Sequence, residues 1–206
     1  MSSAPETQPS TPFPVLIPTI QIGFYKRLLD ARADYLLPAL LKHVATLDLA
    51  RIDQELHIYA GDEKLRHLAA QGLRGELLFP IPYLLAAKPV LLSYYRLLLG
   101  FSQKEFYKNP FSIFSKMESQ GILSQKAASL LPELCNSLIE SAWIFVKGIH
   151  NLSRDILEAL TLLTFGSQLR GSYNTLIGQG ATELVFNLIK DIVKPAIQTE
   201  TSTSLV

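Results

Sequence analysis

The sequence predicts a mainly α-helical protein. Apolar residues recur at three- and four-residue spacing along most of the chain, alternating strand-like runs are scarce, and prolines fall where helices would start, bend or stop. No repeat of fixed period is present, so a helical solenoid is not supported.

The elements follow in order. Residues 1–17 are expected to be a disordered N-terminal segment: Met1 to Pro14 is Ser/Thr/Pro-rich, with neither the basic start nor the apolar run of a secretory signal. A helical domain is expected over 18–195. From Ile20 to Val44 the apolar positions are Ile20, Phe24, Leu28, Leu36, Leu37, Leu40, Leu41 and Val44, with Pro38 placed to kink or restart the helix. The charged stretch Asp48 to Gln71 carries Leu65, Leu68 and Ala69 on one face, and inside it His57-Ile58-Tyr59-Ala60 is the one short stretch with strand character. Pro80, Pro82, Pro89 and Lys88 interrupt the apolar run Leu77 to Leu92. A membrane span takes about 20 apolar residues with every backbone group paired, so a buried, kinked pair of helices is expected there instead. Pro132 suits the first turn of a helix reaching Ile149, with Leu134, Leu138, Ala142, Phe145 and Val146 on its stripe. Ser153 is placed to cap a helix carrying Ile156, Leu157, Leu160 and Leu163. After a loop at Gly178-Gln179-Gly180, a last helix from Ala181 to Val193 presents Leu184, Val185, Leu188, Ile189 and Ile192 and stops before Pro195. The polar tail 196–206 is expected to be disordered.

Composition narrows the function classes. Apolar residues make up 48% of the chain and mean hydropathy is +0.21, high for a soluble protein. Either the core is large or some apolar surface is meant to be covered by another domain or subunit. Nineteen Lys and Arg stand against eighteen Asp and Glu, so nucleic-acid binding would rest on local basic patches. Cys135 is the one cysteine, which excludes an intrachain disulfide and a thiolate metal cluster and fits a cytoplasmic protein.

Several motifs carry possible chemistry. A nuclease needs clustered carboxylates for Mg²⁺ and a lysine near the attacking water. The local match is Asp62-Glu63-Lys64, with Asp53 upstream; it reads better as the start of the helix carrying Leu65 and Leu68. His43, His57, His67 and His150 show no metal-ligand spacing. Gly178-Gln179-Gly180 before a helix is a weak phosphate site, and a plain loop is preferred. Two Leu-Arg-Gly triplets set Arg74 and Arg170 among glycines. An arginine so placed can fork onto the O6/N7 edge of guanine or onto a phosphate, although a helix C-terminus with a glycine cap explains the pattern as well. The run Ser93 to Lys108 interleaves aromatics with Arg96, Lys104 and Lys108, a mixture that lines nucleic-acid grooves or, more simply, divides into core and solvated face.

Three long runs reach beyond such triplets: Gly72-Leu73-Arg74-Gly75-Glu76-Leu77-Leu78-Phe79-Pro80-Ile81-Pro82, Tyr94 to Lys104 (YYRLLLGFSQK) and Leu160 to Gly171 (LTLLTFGSQLRG). In order and spacing they resemble the XcyI family of type II restriction endonucleases, over about residues 18–195. The resemblance implies a bacterial enzyme that binds a GC-rich palindrome of the CCCGGG type in double-stranded DNA as a homodimer, cuts both strands with Mg²⁺, and is paired with a protective methyltransferase. It raises Arg74 and Arg170 as DNA-binding candidates, beside Arg96 and Lys104 from the basic-aromatic run. It also implies that the helical portion precedes an α/β nuclease core bearing an Asp and a strand-borne Glu-x-Lys. Here the last helix is followed by Gln198 to Val206 (QTETSTSLV), so a truncated member is expected, with no metal site evident and not catalytically competent alone. Asp53, Asp62 and Lys64 stay as weak catalytic candidates. The competing expectation is a non-enzymatic, all-helical module for protein interaction or self-association. A remoter one is capture of the C-terminal Ser204-Leu205-Val206 as a carboxylate peptide.

Overall fold

The computed structural model describes residues 22–149 and 151–193, and every regular element among them is helical. The expected disordered segments 1–17 and 196–206, with Ser204-Leu205-Val206 and His150, lie outside the described residues.

Helix α1 (Ile22–Asp34) and α2 (Leu37–Val44) are separate. Pro38 falls in the first turn of α2, where its missing N–H costs nothing, so it restarts the chain instead of kinking it. Asp48 begins α3 (Leu49–Tyr59), its Oδ1 accepting from Ala50 N at 2.9 Å and Arg51 N at 3.3 Å. The strand expected at His57–Ala60 is overturned. Ile52, Leu56 and Ala60 are buried at four-residue spacing, and that stripe outweighs the β-propensity of Ile58, which stays 68% exposed.

Helix α4 (Gly61–Ala69) ends on Gly72, whose φ is +73°. Gly72 N donates to Ala69 O at 2.9 Å and Leu73 N to Leu68 O at 3.1 Å, the paired bonds that close a helix on a left-handed glycine. A 3₁₀ turn (Gly75–Leu77) follows. The proline-punctuated stretch then divides into α5 (Pro82–Ala87), a 3₁₀ turn (Pro89–Leu91) and α6 (Leu92–Leu98). Next come α7 (Gln103–Phe106), α8 (Ser115–Gln120), α9 (Gln125–Ser129) and α10 (Leu131–Gly148), which carries Pro132 in its first turn.

The final element, α11 (Arg154–Val193), is one helix of 40 residues. Ser153 Oγ accepts from Ile156 N at 3.3 Å, the expected cap, but the expected loop at 178–180 is helix interior. Gly178 and Gly180 therefore offer no free helix N-terminus, and the phosphate reading is withdrawn. Glycine costs a helix interior about 1 kcal/mol relative to alanine, whereas proline costs about 3; no proline occurs between Arg154 and Val193. No helix among the described residues is long and apolar enough to cross a membrane.

Every residue of α6 is buried, and it is the strut around which the core assembles. Tyr94 OH donates to Leu77 O at 2.9 Å and Tyr95 OH to Glu76 O at 2.7 Å, fixing the first 3₁₀ turn. The first half of α11 packs along α6, and Leu97 joins Ala31, Leu36 and Phe165 in a small cluster tying α1 to α11.

Between these tyrosines and the apolar end of α6 sits Arg96, 1% exposed. Its Nε donates to Glu118 Oε2 at 2.8 Å and its Nη2 to Glu118 Oε1 at 2.6 Å, while Nη1 donates to Phe101 O. Glu118 also accepts from Gln103 Nε2 at 2.7 Å and Tyr107 OH at 2.6 Å, which fills its four lone-pair directions. Burial pushes the Glu118 carboxyl upward, but the bonds and charge of Arg96, helped by Tyr107 and Gln103, hold it below its ordinary value. Burial and then Glu118 raise the Tyr107 hydroxyl. The expectation that Arg96 contacts DNA is therefore corrected: its guanidinium is enclosed and its charge already matched.

Replacing Glu118 by Gln strands a buried guanidinium and is expected to cost about 3–5 kcal/mol in urea unfolding. Arg96→Met combined with Glu118→Leu is expected to cost clearly less than the two single changes summed. The folded-state value of Glu118 is depressed, so the unfolded chain takes up its proton first as pH falls. Its contribution should thus be present above the ordinary value of 4.5 and be lost as pH drops through the folded value below it; Glu118→Gln should flatten that part of the acid-unfolding curve. Alanine at Gly178 or Gly180 meets no neighbour within 4 Å. Each substitution is expected to slow amide exchange nearby by about fivefold, the equivalent of about 1 kcal/mol; faster exchange would restore the loop.

Candidate nucleic-acid interface

Arg74 is presented by a turn whose geometry its neighbours dictate. The left-handed Gly72 reverses the chain, Leu73 drops into the core, and Arg74 emerges in extended conformation. Gly75 lies so close to α3 and α4 that a Cβ there would fall 2.7 Å from a methyl of Leu65 and 3.1 Å from one of Leu56. The glycines flanking Arg74 thus serve one as a cap and one as a point of close approach.

The Arg74 side chain is 50% exposed and held from two sides. Nε donates to Glu76 Oε1 at 2.6 Å, and Nη2 donates to Asp53 Oδ1, on α3, at 2.9 Å. Glu76 is nearly enclosed, its side chain 3% exposed, and its backbone is pinned by Tyr95. The hydrogen bond to Glu76 raises the already high Arg74 value, burial opposes it, and the charges of Glu76 and Asp53 add to it. Nη1 makes no hydrogen bond with a described residue.

The other two exposed candidates belong to a different group of elements. Lys104 lies on α7, whose first turn is closed by a reciprocal cap between Ser102 and Glu105. Arg170 is exposed on α11 and forms no salt bridge with a described residue. It borders a cavity of about 620 Å³ between α1 and α11, lined by Phe24, Leu28, Phe165 and Tyr173 among others. Gln168, half a turn before Arg170, reaches Phe101 O at 3.3 Å and Arg96 at 3.4 Å, which ties α11 to the loop leading into α7. Gly171 is helix interior and not the expected cap.

The acidic candidates do not converge. Asp53 pairs with Arg74, Asp62 Oδ1 stands 3.6 Å from His57 Nε2, and Lys64 Nζ stands 3.0 Å from Glu140 Oε1 of α10. Three side chains committed to three separate partners do not fit Mg²⁺, which takes converging oxygens. Among the described residues no group of three His, Cys, Asp or Glu could hold a metal. Asp62 and Glu63 instead occupy the first turn of α4, where negative charge suits the helix dipole. Of the other histidines, His67 packs edge-on against Trp143, and burial followed by the charge of Lys88 lowers His43.

The roles of Asp53 and Glu76 beside Arg74 were not anticipated. The Arg74/Glu76 spacing is a local signal, but nothing in sequence points from Arg74 to a residue 21 positions earlier.

Comparison with known proteins gives this surface its setting. The type II restriction enzyme Cfr9I of Citrobacter freundii is 42% identical over 186 residues, 87% of this chain and 56% of that enzyme. The type II restriction enzyme XcyI of Xanthomonas campestris pv. cyanopsidis is 43% identical over 185 residues, again 87% of this chain and 56% of the relative. The chain therefore spans about half the length of the curated relatives it matches. No solved structure matches it. The family described as XcyI restriction endonuclease matches residues 25–206, and the chain belongs to that family.

Proposed function

We propose that this chain is the helical, DNA-binding part of a type II site-specific deoxyribonuclease. Its target is a short GC-rich palindrome of the CCCGGG type in double-stranded DNA, bound by a cytoplasmic homodimer whose cutting step uses Mg²⁺. The observation that carries this reading is the identity of 42–43% with two type II restriction enzymes along 87% of the chain. The contacts fall to exposed cations: Arg74 on its turn, with Lys104 and Arg170 on α7 and α11. A palindrome matches two-fold protein symmetry. The separate pairing of Asp53, Asp62 and Lys64 supports the further proposal that these residues do not cut DNA by themselves.

One feature favours a second reading, a self-association module. Leu184, Val185, Leu188 and Ile189 of α11 are 49–67% exposed and share one helix face, a stripe that normally meets a partner.

A fluorescence-anisotropy titration of the 206-residue protein against a CCCGGG duplex at two salt concentrations separates the readings. DNA binding is expected to weaken steeply with salt, and Lys104→Ala or Arg170→Ala to lower the logarithmic salt slope by about 1 each. No cleavage is expected when Mg²⁺ is added. Salt-insensitive self-association without DNA affinity would favour the module, and Mg²⁺-dependent double-strand cutting would refute the proposed inactivity.

A further inference from the structure

We infer that Arg74 reads a guanine base edge rather than a phosphate, and that Asp53 and Glu76 are the positioning residues that aim it; this rests on the DNA-binding reading above. Charge decides between the two ligands. Around Arg74 one cation faces two carboxylates, so the cluster is net negative and repels a phosphate. A guanine edge is uncharged and offers two acceptors, O6 and N7, spaced for a guanidinium fork.

The hydrogen-bond count agrees. A guanidinium has five N–H donors. Glu76 occupies the one on Nε and Asp53 one on Nη2, so among the described residues three are left on the terminal nitrogens, enough to bond O6 and N7 together. Both carboxylate bonds are short and charge-assisted, and they remove much of the rotamer freedom that a half-exposed arginine otherwise loses on binding. The anchor is firm on the protein side. Glu76 is buried, its Oε2 has no hydrogen-bond partner, and Tyr95 holds its carbonyl, so the Arg74 bond is what compensates its charge. Asp53 comes from α3, a separate element, and bonds a second nitrogen, which fixes rotation about the Arg74 side-chain axis. Asp53 is thereby assigned a task in recognition in place of metal binding.

Arg74 itself is a poor probe, since removing it strands the buried Glu76. Asp53 is 52% exposed, so Asp53→Ala, which removes the acceptor on Nη2, tests the aim with the fold intact, as circular dichroism can verify. The measurement is the ratio of affinities of the full chain for a CCCGGG duplex and for the same duplex with 7-deazaguanine, which lacks the N7 acceptor. The wild type is expected to prefer guanine by about tenfold, the size of one good bidentate contact, and Asp53→Ala to bring that ratio close to one. A purely structural salt bridge would leave the ratio unmoved. Wild-type binding with no preference for guanine, or a preference that survives in Asp53→Ala, overturns the inference and leaves the DNA-binding reading standing. Absence of binding to every duplex overturns that reading, and the inference with it.

Discussion

A fixed positive charge at the centre of a helical core is the constraint on which this fold depends. Arg96 occupies a helix with no solvent-exposed residue, and a guanidinium does not lose its proton to escape burial. The surrounding chain must therefore supply a carboxylate and enough acceptors to replace water. Glu118 on α8, the carbonyl of Phe101 and Gln168 on α11 supply them. Through one side chain, α6, α8 and α11 are fixed against each other. Gly100, with φ +80°, turns the chain so that Phe101 O points back at Arg96. Such a pair adds little net stability compared with apolar residues, but misplacing any partner leaves a buried charge, so it favours one arrangement strongly.

The same helix organises the surface. Tyr95, beside Arg96 in sequence, holds the carbonyl of Glu76, and Glu76 holds Arg74. A continuous set of hydrogen bonds thus runs from the most buried helix to a half-exposed arginine. Recognition side chains work best when their orientation is set by a rigid second layer, and Arg74 has one. Among the described residues neither Lys104 nor Arg170 has a comparable restraint, which suits the phosphate contacts proposed for them. In the second half of α11, Leu184, Val185, Leu188 and Ile189 are largely exposed, and on this apolar face the high overall hydropathy of the chain meets solvent.

Much of the fold was legible in the sequence because helix stripes and prolines are local signals. The division of the Leu77–Leu92 run, the start at Pro132 and the cap at Ser153 follow from spacing alone, whereas at Pro38 spacing allowed a kink or a restart and the structure has the restart. The misreadings were also local in origin. A β-branched residue at Ile58 imitated a strand where the Ile52, Leu56, Ala60 stripe decided for helix. Glycines at 178 and 180 imitated a loop, although glycine weakens a helix without forbidding it. At the site, the exposure of Arg74, Lys104 and Arg170 was within reach of the sequence, whereas the burial of Arg96 was not. Its partner lies 22 residues away on another helix, and an arginine among tyrosines looks the same in a core as in a groove. Family membership was legible for another reason: three long runs in fixed order carry far more information than any triplet.

Hydrogen–deuterium exchange of the 206-residue protein, with and without a saturating CCCGGG duplex, tests the DNA-binding reading most directly. Slowed exchange is expected over residues 72–78 and 100–108, where Arg74 and Lys104 are proposed to meet the duplex, with little change at Leu184 to Ile189. Protection confined to that α11 stripe, or none at all under saturating DNA, would contradict the placement of the interface.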